Sequence, residues 1–340
     1  MTTKSFRRVI ESTLVPHTAF ADASARLQQC LDYARDSPEP ICFAIVGESR
    51  TGKSRILEEC EREYMPRRTE AGLTVPVVRV SAPAKPTAKS LSEVLLRKLG
   101  DPKWDAGTEN NKMARLEKLL KACECRMLMI DEFQHFFDKT THKVFHHVAD
   151  WLKLLADNTR VALVVTGLDS CLPVLLRNEQ LSGRFLSPAF MHRFNWLDDD
   201  HRAEFIGILE AFNESISVHL DLPRLHSDEM AFRFWCATGG LMGYLTKLLR
   251  QLVWNACDQQ LKKISLADIR KANEEAIWSL DEAARAMNPF LARFSCQPTQ
   301  DMIAFSLGIG VREEEPFPKG SFEPKKRPSG TSASQHLSAA

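Results

Sequence analysis

Ile41-Cys42-Phe43-Ala44-Ile45-Val46-Gly47-Glu48-Ser49-Arg50-Thr51-Gly52-Lys53-Ser54 decides the fold. An apolar run, which reads as a buried strand, breaks into a loop bounded by two glycines and then opens a helix through Ile56 and Leu57. Gly47 and Gly52 accept backbone torsions that turn successive N–H groups into one concavity, and the helix adds its positive N-terminal end. Such a loop binds phosphate. Lys53 is expected to reach the β- and γ-phosphates of a nucleotide, and the Ser54 hydroxyl suits Mg²⁺. Gly47, Glu48, Ser49, Arg50, Thr51, Gly52, Lys53 and Ser54 are therefore the candidate nucleotide contacts. A glycine turn that merely precedes Lys-Ser would explain neither the strand before it nor the helix after it.

A second stretch completes the first. Met127-Leu128-Met129-Ile130-Asp131-Glu132 is an apolar strand ending in two carboxylates, as a Mg²⁺-nucleotide site requires opposite its phosphate loop. Asp131 is expected to orient the metal or its water, and Glu132 to polarise the attacking water. Asp-Glu also ends many ordinary strands, but here it lies downstream of a phosphate loop. Val161-Ala162-Leu163-Val164-Val165-Thr166 reads as a further strand, with Thr166 either sensing the γ-phosphate or simply capping the strand before Gly167.

At 340 residues with 44% apolar content the chain has material for two packed units and tails. Lys+Arg 45 against Asp+Glu 44 excludes a strongly basic protein, so contact with nucleic acid has to be local. The nine cysteines sit singly in apolar segments, and Cys123-x-Cys125 has no second pair, which favours a reduced, cytoplasmic protein without a metal site built from protein ligands alone. No apolar run approaches the roughly 18 residues of a membrane span.

Four segments are expected: a lead-in over 1–40, an α/β nucleotide-binding domain over 41–198, a helical lid over 199–290, and a C-terminal extension and disordered tail over 291–340. In the first, Leu27, Cys30 and Leu31 recur at helical spacing from Asp22 to Tyr33. A second strand is expected over Val75 to Val80. Helices are expected over Leu91 to Leu99, Lys112 to Cys123 and Thr141 to Ala156. From Asp198 the pattern is helical throughout: Arg202 to Phe212, Asp228 to Ala237, Leu241 to Gln259 and Leu266 to Ala286, punctuated by Pro223 and Gly239-Gly240. Beyond Gly310, Glu313-Glu314-Glu315-Pro316 and Lys325-Lys326-Arg327-Pro328 lie among Ser, Thr and Ala, a composition without core-forming residues.

Taken together, the phosphate loop, the Ile-Asp-Glu strand, the sensor strand and the helical lid resemble an AAA+ ATPase, and within that superfamily the TniB/TnsC transposition regulators. The resemblance rests on Val15-Pro16-His17, Gly47 to Ser54, Met129 to His135, Leu152-Lys153-Leu154-Leu155 before Val164 to Gly167, Gln180 to Phe185, and Gly239 to Leu245. In size and layout it is most similar to the TnsC proteins of CRISPR-associated transposons. It implies an AAA+ P-loop core, a parallel sheet flanked by helices, with a C-terminal all-helical lid. It also implies an ATPase using ATP and Mg²⁺ that assembles head-to-tail as rings or filaments on double-stranded DNA and links a target-selection complex to the transposase. A neighbour's arginine then completes the charge clamp on the γ-phosphate; Arg184 is the first candidate for it and Arg193 the second. Val15, Pro16 and His17 match the positions that line the family's adenine pocket.

Lys103, Lys112, Arg115 and Lys118 surround the helix that faces the ring interior in initiator-like relatives, and are the candidate contacts to DNA phosphates. A basic helix face is also an ordinary solvated surface. His146-His147 reads as helix surface or packing. One departure from the family is evident: many AAA+ lids carry an arginine three residues after the glycine opening their sensor helix, and counting from Gly240 reaches Gly243. Lys247 lies one turn later. Slow, assembly-coupled hydrolysis is the resulting expectation. The competing readings are an initiator or loader ATPase of replication or recombination, and a scaffold that binds ATP without hydrolysing it. A small-molecule P-loop kinase has no use for Glu132 as a water activator.

Overall fold

The computed structural model describes residues 6–70, 72–138, 142–172, 175, 182–277 and 288–311. The chain forms two compact units, Met1–Ile309 and Gly310–Ala340, and the sheet, its flanking helices and the candidate site all belong to the first. Of the second unit, where a tail is expected, all but the first two residues lie outside the described residues.

Among the described residues, the lead-in helices α1 (Val9–Ser12) and α2 (Thr18–Tyr33) precede β1 (Cys42–Gly47) and α3 (Lys53–Glu63). A two-stranded antiparallel hairpin comes after α3, β2 (Arg67–Thr69) and β3 (Gly72–Thr74), which the sequence pattern does not signal. Next come β4 (Val77–Ser81), α4 (Ala88–Lys98), α5 (Glu109–Ala122), β5 (Met127–Asp131), the short α6 (His135–Asp138), α7 (His142–Thr159), β6 (Ala162–Gly167) and β7 (Ala189–Met191). After β7 the elements among the described residues are helices: α8 (Asp199–Ser217), α9 (Asp228–Thr238), α10 (Met242–Asp258), α11 (Leu266–Ala276) and α12 (Gln300–Gly308). The second strand starts two residues later than expected because Pro76 has no N–H for the ladder; its carbonyl instead accepts from Arg126 and Met127. The expected continuation of α11 to Ala286 falls largely on residues that are not described.

The sheet runs β4-β5-β6-β1-β7, with every pairing parallel. Strand residues alternate between two cores. Cys42, Ala44 and Val46 of β1 join Leu128, Ile130, Leu163 and Val165 under α4, α5 and α7; Phe43 and Ile45 join Met127, Met129, Ala162 and Val164 under α2 and α3. Because both faces are covered, these strands are apolar throughout, which is why the sequence shows them as continuous runs. A third cluster is separate from the sheet: Phe205, Leu209, Phe212, Phe234, Trp235, Leu245, Leu249 and Phe290 pack α8 to α11 around one core.

This topology sets the position of the site. β6 lies between β1 and β5, so the carboxyl ends of all three strands, bearing Gly47, Asp131 and Thr166, open side by side at one edge. Ligands in open parallel sheets bind at that edge.

Candidate functional site

The loop after β1 closes on α3 through Gly52, whose φ of +105° makes it a left-handed N-cap, and the N–H of Arg55 bonds the Gly52 carbonyl at 2.9 Å. Gly47 is required for a different reason. A Cβ there would stand 2.0 Å from the carbonyl oxygen of Met191 on β7, so the neighbouring strand passes where any side chain would be. Lys53 Nζ donates to the carbonyls of Gly47 at 2.8 Å and Glu48 at 2.5 Å. Burial draws its pKa below the ordinary lysine value, opposed by the carboxylates of Glu132, Asp131 and Asp169. The loop thus offers a cation facing acids. Ser54, half-buried, lies in the first turn of α3.

Opposite the loop, Thr166 is fully buried and donates its hydroxyl to Asp131 Oδ1 at 2.5 Å; the Glu132 N–H donates to the same oxygen at 2.8 Å. Two donors fix one face of the Asp131 carboxylate. Glu132 itself takes a left-handed φ of +57°, a torsion that costs a non-glycine residue about 1 kcal/mol or more. Its side chain is exposed at the strand end and accepts from the amide of Gln134, whose Oε1 in turn accepts the Leu168 N–H at 3.3 Å. Gln134, 5% exposed, is a polar link between the Glu132 carboxylate and the backbone leaving β6. Its place in Asp-Glu-Phe-Gln-His was visible in the sequence, but its partner was not.

Beside the loop lies a cavity of about 320 Å³. The lead-in supplies Ile10, Leu14, Val15, His17 and Phe20, the phosphate loop Thr51 and Gly52, and the first turns of α10 Met242, Gly243 and Thr246. Of the three residues matched to an adenine pocket, Val15 and His17 line it, and Pro16 is exposed between them. His17 lies edge-on to Phe20 and Phe194, and burial lowers its pKa, with Glu204 opposing and His201 reinforcing the shift. Arg55 of α3 donates to the Glu11 carbonyl at 2.8 Å, so the lead-in is fastened to the helix that begins at the loop.

Gly243, where counting from Gly240 placed the arginine of many AAA+ lids, has surroundings that leave no space for a side chain. Its N–H donates to the Arg50 carbonyl at 2.7 Å, and a Cβ at 243 would stand 2.8 Å from the Arg50 Cβ and 3.0 Å from its carbonyl oxygen. The start of α10 rests directly on the phosphate loop. Next to it the Arg50 guanidinium lies 4.6 Å from the centre of the Tyr244 ring.

Both candidate arginines are engaged within their own chain. Arg184, 16% exposed, pairs with Asp157 near the end of α7. Arg193 lies two residues beyond β7 and pairs with Glu48 of the loop. Lys112 requires a correction: expected on a DNA-facing surface, it is fully buried. Its ammonium bonds Glu93 at 2.7 Å and the carbonyls of Asp105 and Trp104 at 2.6 and 3.2 Å, holding the turn before α5. Arg115 does similar work on Asp101, Lys103 and Ala106. The spacing carried the signal, since Lys112 stands four residues before Leu116 and eight before Leu120 on the buried face. Lys103 and Lys118 are exposed.

The description "Bacterial TniB protein" belongs to the family model that matches residues 6–195, from the lead-in through β7 and more than half the chain. The chain belongs to the TniB family. No curated protein sequence matches it. Solved structures similar to this TniB protein are the ORC2 protein of Aeropyrum pernix in ADPNP–ADP complexes (TM-score 0.58, 15% identity, 80% of this chain and 72% of that one) and Cdc6p of Pyrobaculum aerophilum (0.59, 16%, 81% and 72%). The ORC1 protein of Aeropyrum pernix in complex with DNA is also similar (0.54, 15%, 79% and 69%). At these identities the likeness is one of fold: the TniB chain has the AAA+ P-loop architecture, a five-stranded parallel sheet flanked by helices and followed by a helical region. No described helix is long and apolar enough to cross a membrane.

Proposed function

We propose that this TniB-family chain is an ATPase of DNA transposition. It binds MgATP with residues 41–198, closes the lid of 199–290 over it, assembles head-to-tail on duplex DNA in the cytoplasm, and connects a target-selection complex to the transposase. The observation that carries the nucleotide reading is the convergence of Lys53 with Asp131 and Glu132 at one sheet edge, beside an apolar cavity sized for a base. The family match supports the pathway, and the resemblance in size and layout to the TnsC proteins of CRISPR-associated transposons favours a TnsC-like role.

The residues present suit Mg²⁺. Among the described residues no cluster of three metal-ligating side chains exists, so the protein offers Ser54 and Asp131, leaving the other positions to phosphate and water, as Mg²⁺ prefers. The ion would neutralise phosphate charge. Lys53 is the donor that would transfer from the Gly47 and Glu48 carbonyls to the β- and γ-phosphates; Glu132 would orient water, and Thr166 would hold Asp131. The absence of a second sensor supports slow, assembly-coupled hydrolysis. Lys53→Ala should abolish ATP binding, read by titration of a fluorescent ATP analogue, and with it DNA-bound rings or filaments seen by electron microscopy. Retained affinity would overturn the assignment of the loop.

A further inference from the structure

Glu48 presents a problem for the loop it belongs to. A loop that gathers N–H groups and a lysine around phosphate carries a carboxylate at its second position, and an unpaired carboxylate beside a triphosphate repels it. Arg193 answers that charge. Parallel pairing of Val46 with Phe190 and Gly47 with Met191 carries the two chains out of the sheet together, so that Glu48 and Arg193 meet just beyond its edge. Arg193 Nε lies 3.0 and 2.9 Å from the two Glu48 oxygens, and Nη2 also bonds Oε2. Nη1 donates to the carbonyls of Leu307 at 2.8 Å, Ile309 at 3.2 Å and Gly239 at 3.3 Å. The side chain is 10% exposed. Every nitrogen of the guanidinium is engaged within its own chain, so reaching a neighbour's nucleotide would mean giving up these bonds.

We propose that Arg193 is a positioning residue acting in cis, holding the Glu48 carboxylate neutralised and turned to the lid side so that the phosphate loop accepts a triphosphate. This rests on the reading that the loop binds ATP. The planar fork suits the task, since it engages both carboxylate oxygens and still anchors three carbonyls. The same contacts tie the loop to the end of α9 and the end of α12.

The test is MgATP affinity of the full chain without DNA, measured with a fluorescent ATP analogue at two salt concentrations, with thermal melts to monitor folding. Arg193→Gln should weaken binding by about tenfold, because the carboxylate it leaves behind is unpaired. Glu48→Gln should tighten binding by about threefold, since an anion is removed while the cation stays. In the double variant affinity should return to within about threefold of the parent, and the differences should shrink at high salt. Three outcomes would overturn the proposal: unchanged affinity in Arg193→Gln, as an arginine acting only across an interface would give; weakened affinity in Glu48→Gln, which keeps Arg193 and so reports even if the arginine variant does not fold; or a double variant as weak as Arg193→Gln, as a purely structural anchor would give. A parent chain that binds no ATP would fail the underlying reading instead.

Discussion

At the scale of single residues, the proposed hydrolysis would rest on the strand end of β5. Asp131 receives two hydrogen bonds on one oxygen, which leaves its other oxygen for a metal or its water. Glu132 is exposed, in a left-handed torsion, and tethered by Gln134. Glu132→Gln keeps the size of the side chain but removes the charge that polarises water. ATP should therefore bind normally while phosphate release falls by a factor on the order of 10². If hydrolysis drives disassembly, complexes of this variant with ATP and DNA should sediment as longer-lived oligomers than those of the parent. Equal turnover in the two proteins would remove Glu132 from the mechanism and favour an ATP-gated scaffold.

Between elements, the contact that matters most is that of α10 with the phosphate loop. An arginine at position 243 would restore the residue that many AAA+ lids carry, yet its Cβ has no room against Arg50. Gly243→Arg should therefore impair rather than improve the protein. We expect a loss of about 1–3 kcal/mol in denaturant unfolding and weaker ATP binding, with Gly243→Ala intermediate. Tighter ATP binding or faster hydrolysis in Gly243→Arg would mean that α10 rests elsewhere when nucleotide is bound. The lead-in is fastened comparably, with the Thr18 N–H donating to Glu204 of α8 at 2.8 Å and His17 enclosed by aromatic rings. Burial favours neutral His17, so its folded pKa lies below the unfolded value of 6.5 and the unfolded chain binds more protons between the two. Its contribution is fully present above pH 6.5 and is lost as pH falls from there towards the folded pKa. Urea unfolding between about pH 5 and 8 should show this slope, and His17→Gln should flatten it.

For the molecule as a whole, the assembly proposed above would turn on Arg184, the first candidate to reach a neighbour's nucleotide. In the single chain it is paired with Asp157, so service across an interface would mean exchanging that carboxylate for a neighbour's phosphate. Arg184→Ala should leave ATP binding by the isolated protomer intact but reduce DNA-stimulated turnover and assembly. Asp157→Asn should release the arginine and lower the protein concentration at which oligomers form, as followed by sedimentation. If Asp157→Asn leaves that threshold unchanged, the pair does not gate assembly.

Local pattern determined much of this protein by itself. The strand–loop–helix of residues 41–57, the apolar strands ending at Asp131 and Thr166, and the change to helices after Asp198 all follow from periodicities and turn chemistry contained in short windows of sequence. The family could be read from those windows too, because its distinctive runs are contiguous. Only the tertiary structure decided what paired with what. Sequence spacing separates charged exposed positions from apolar buried ones, but it assigns no partner to a charge: Lys112 is buried because Glu93 and two carbonyls from other segments surround it, and Arg193 faces Glu48 because β7 lies beside β1. Gly243 read correctly as a position without the lid arginine, but only the Arg50 carbonyl packed against it supplies the reason. Such contacts join residues far apart in the chain, and their energies come from burial and geometry that exist only once the sheet and the helical region have formed.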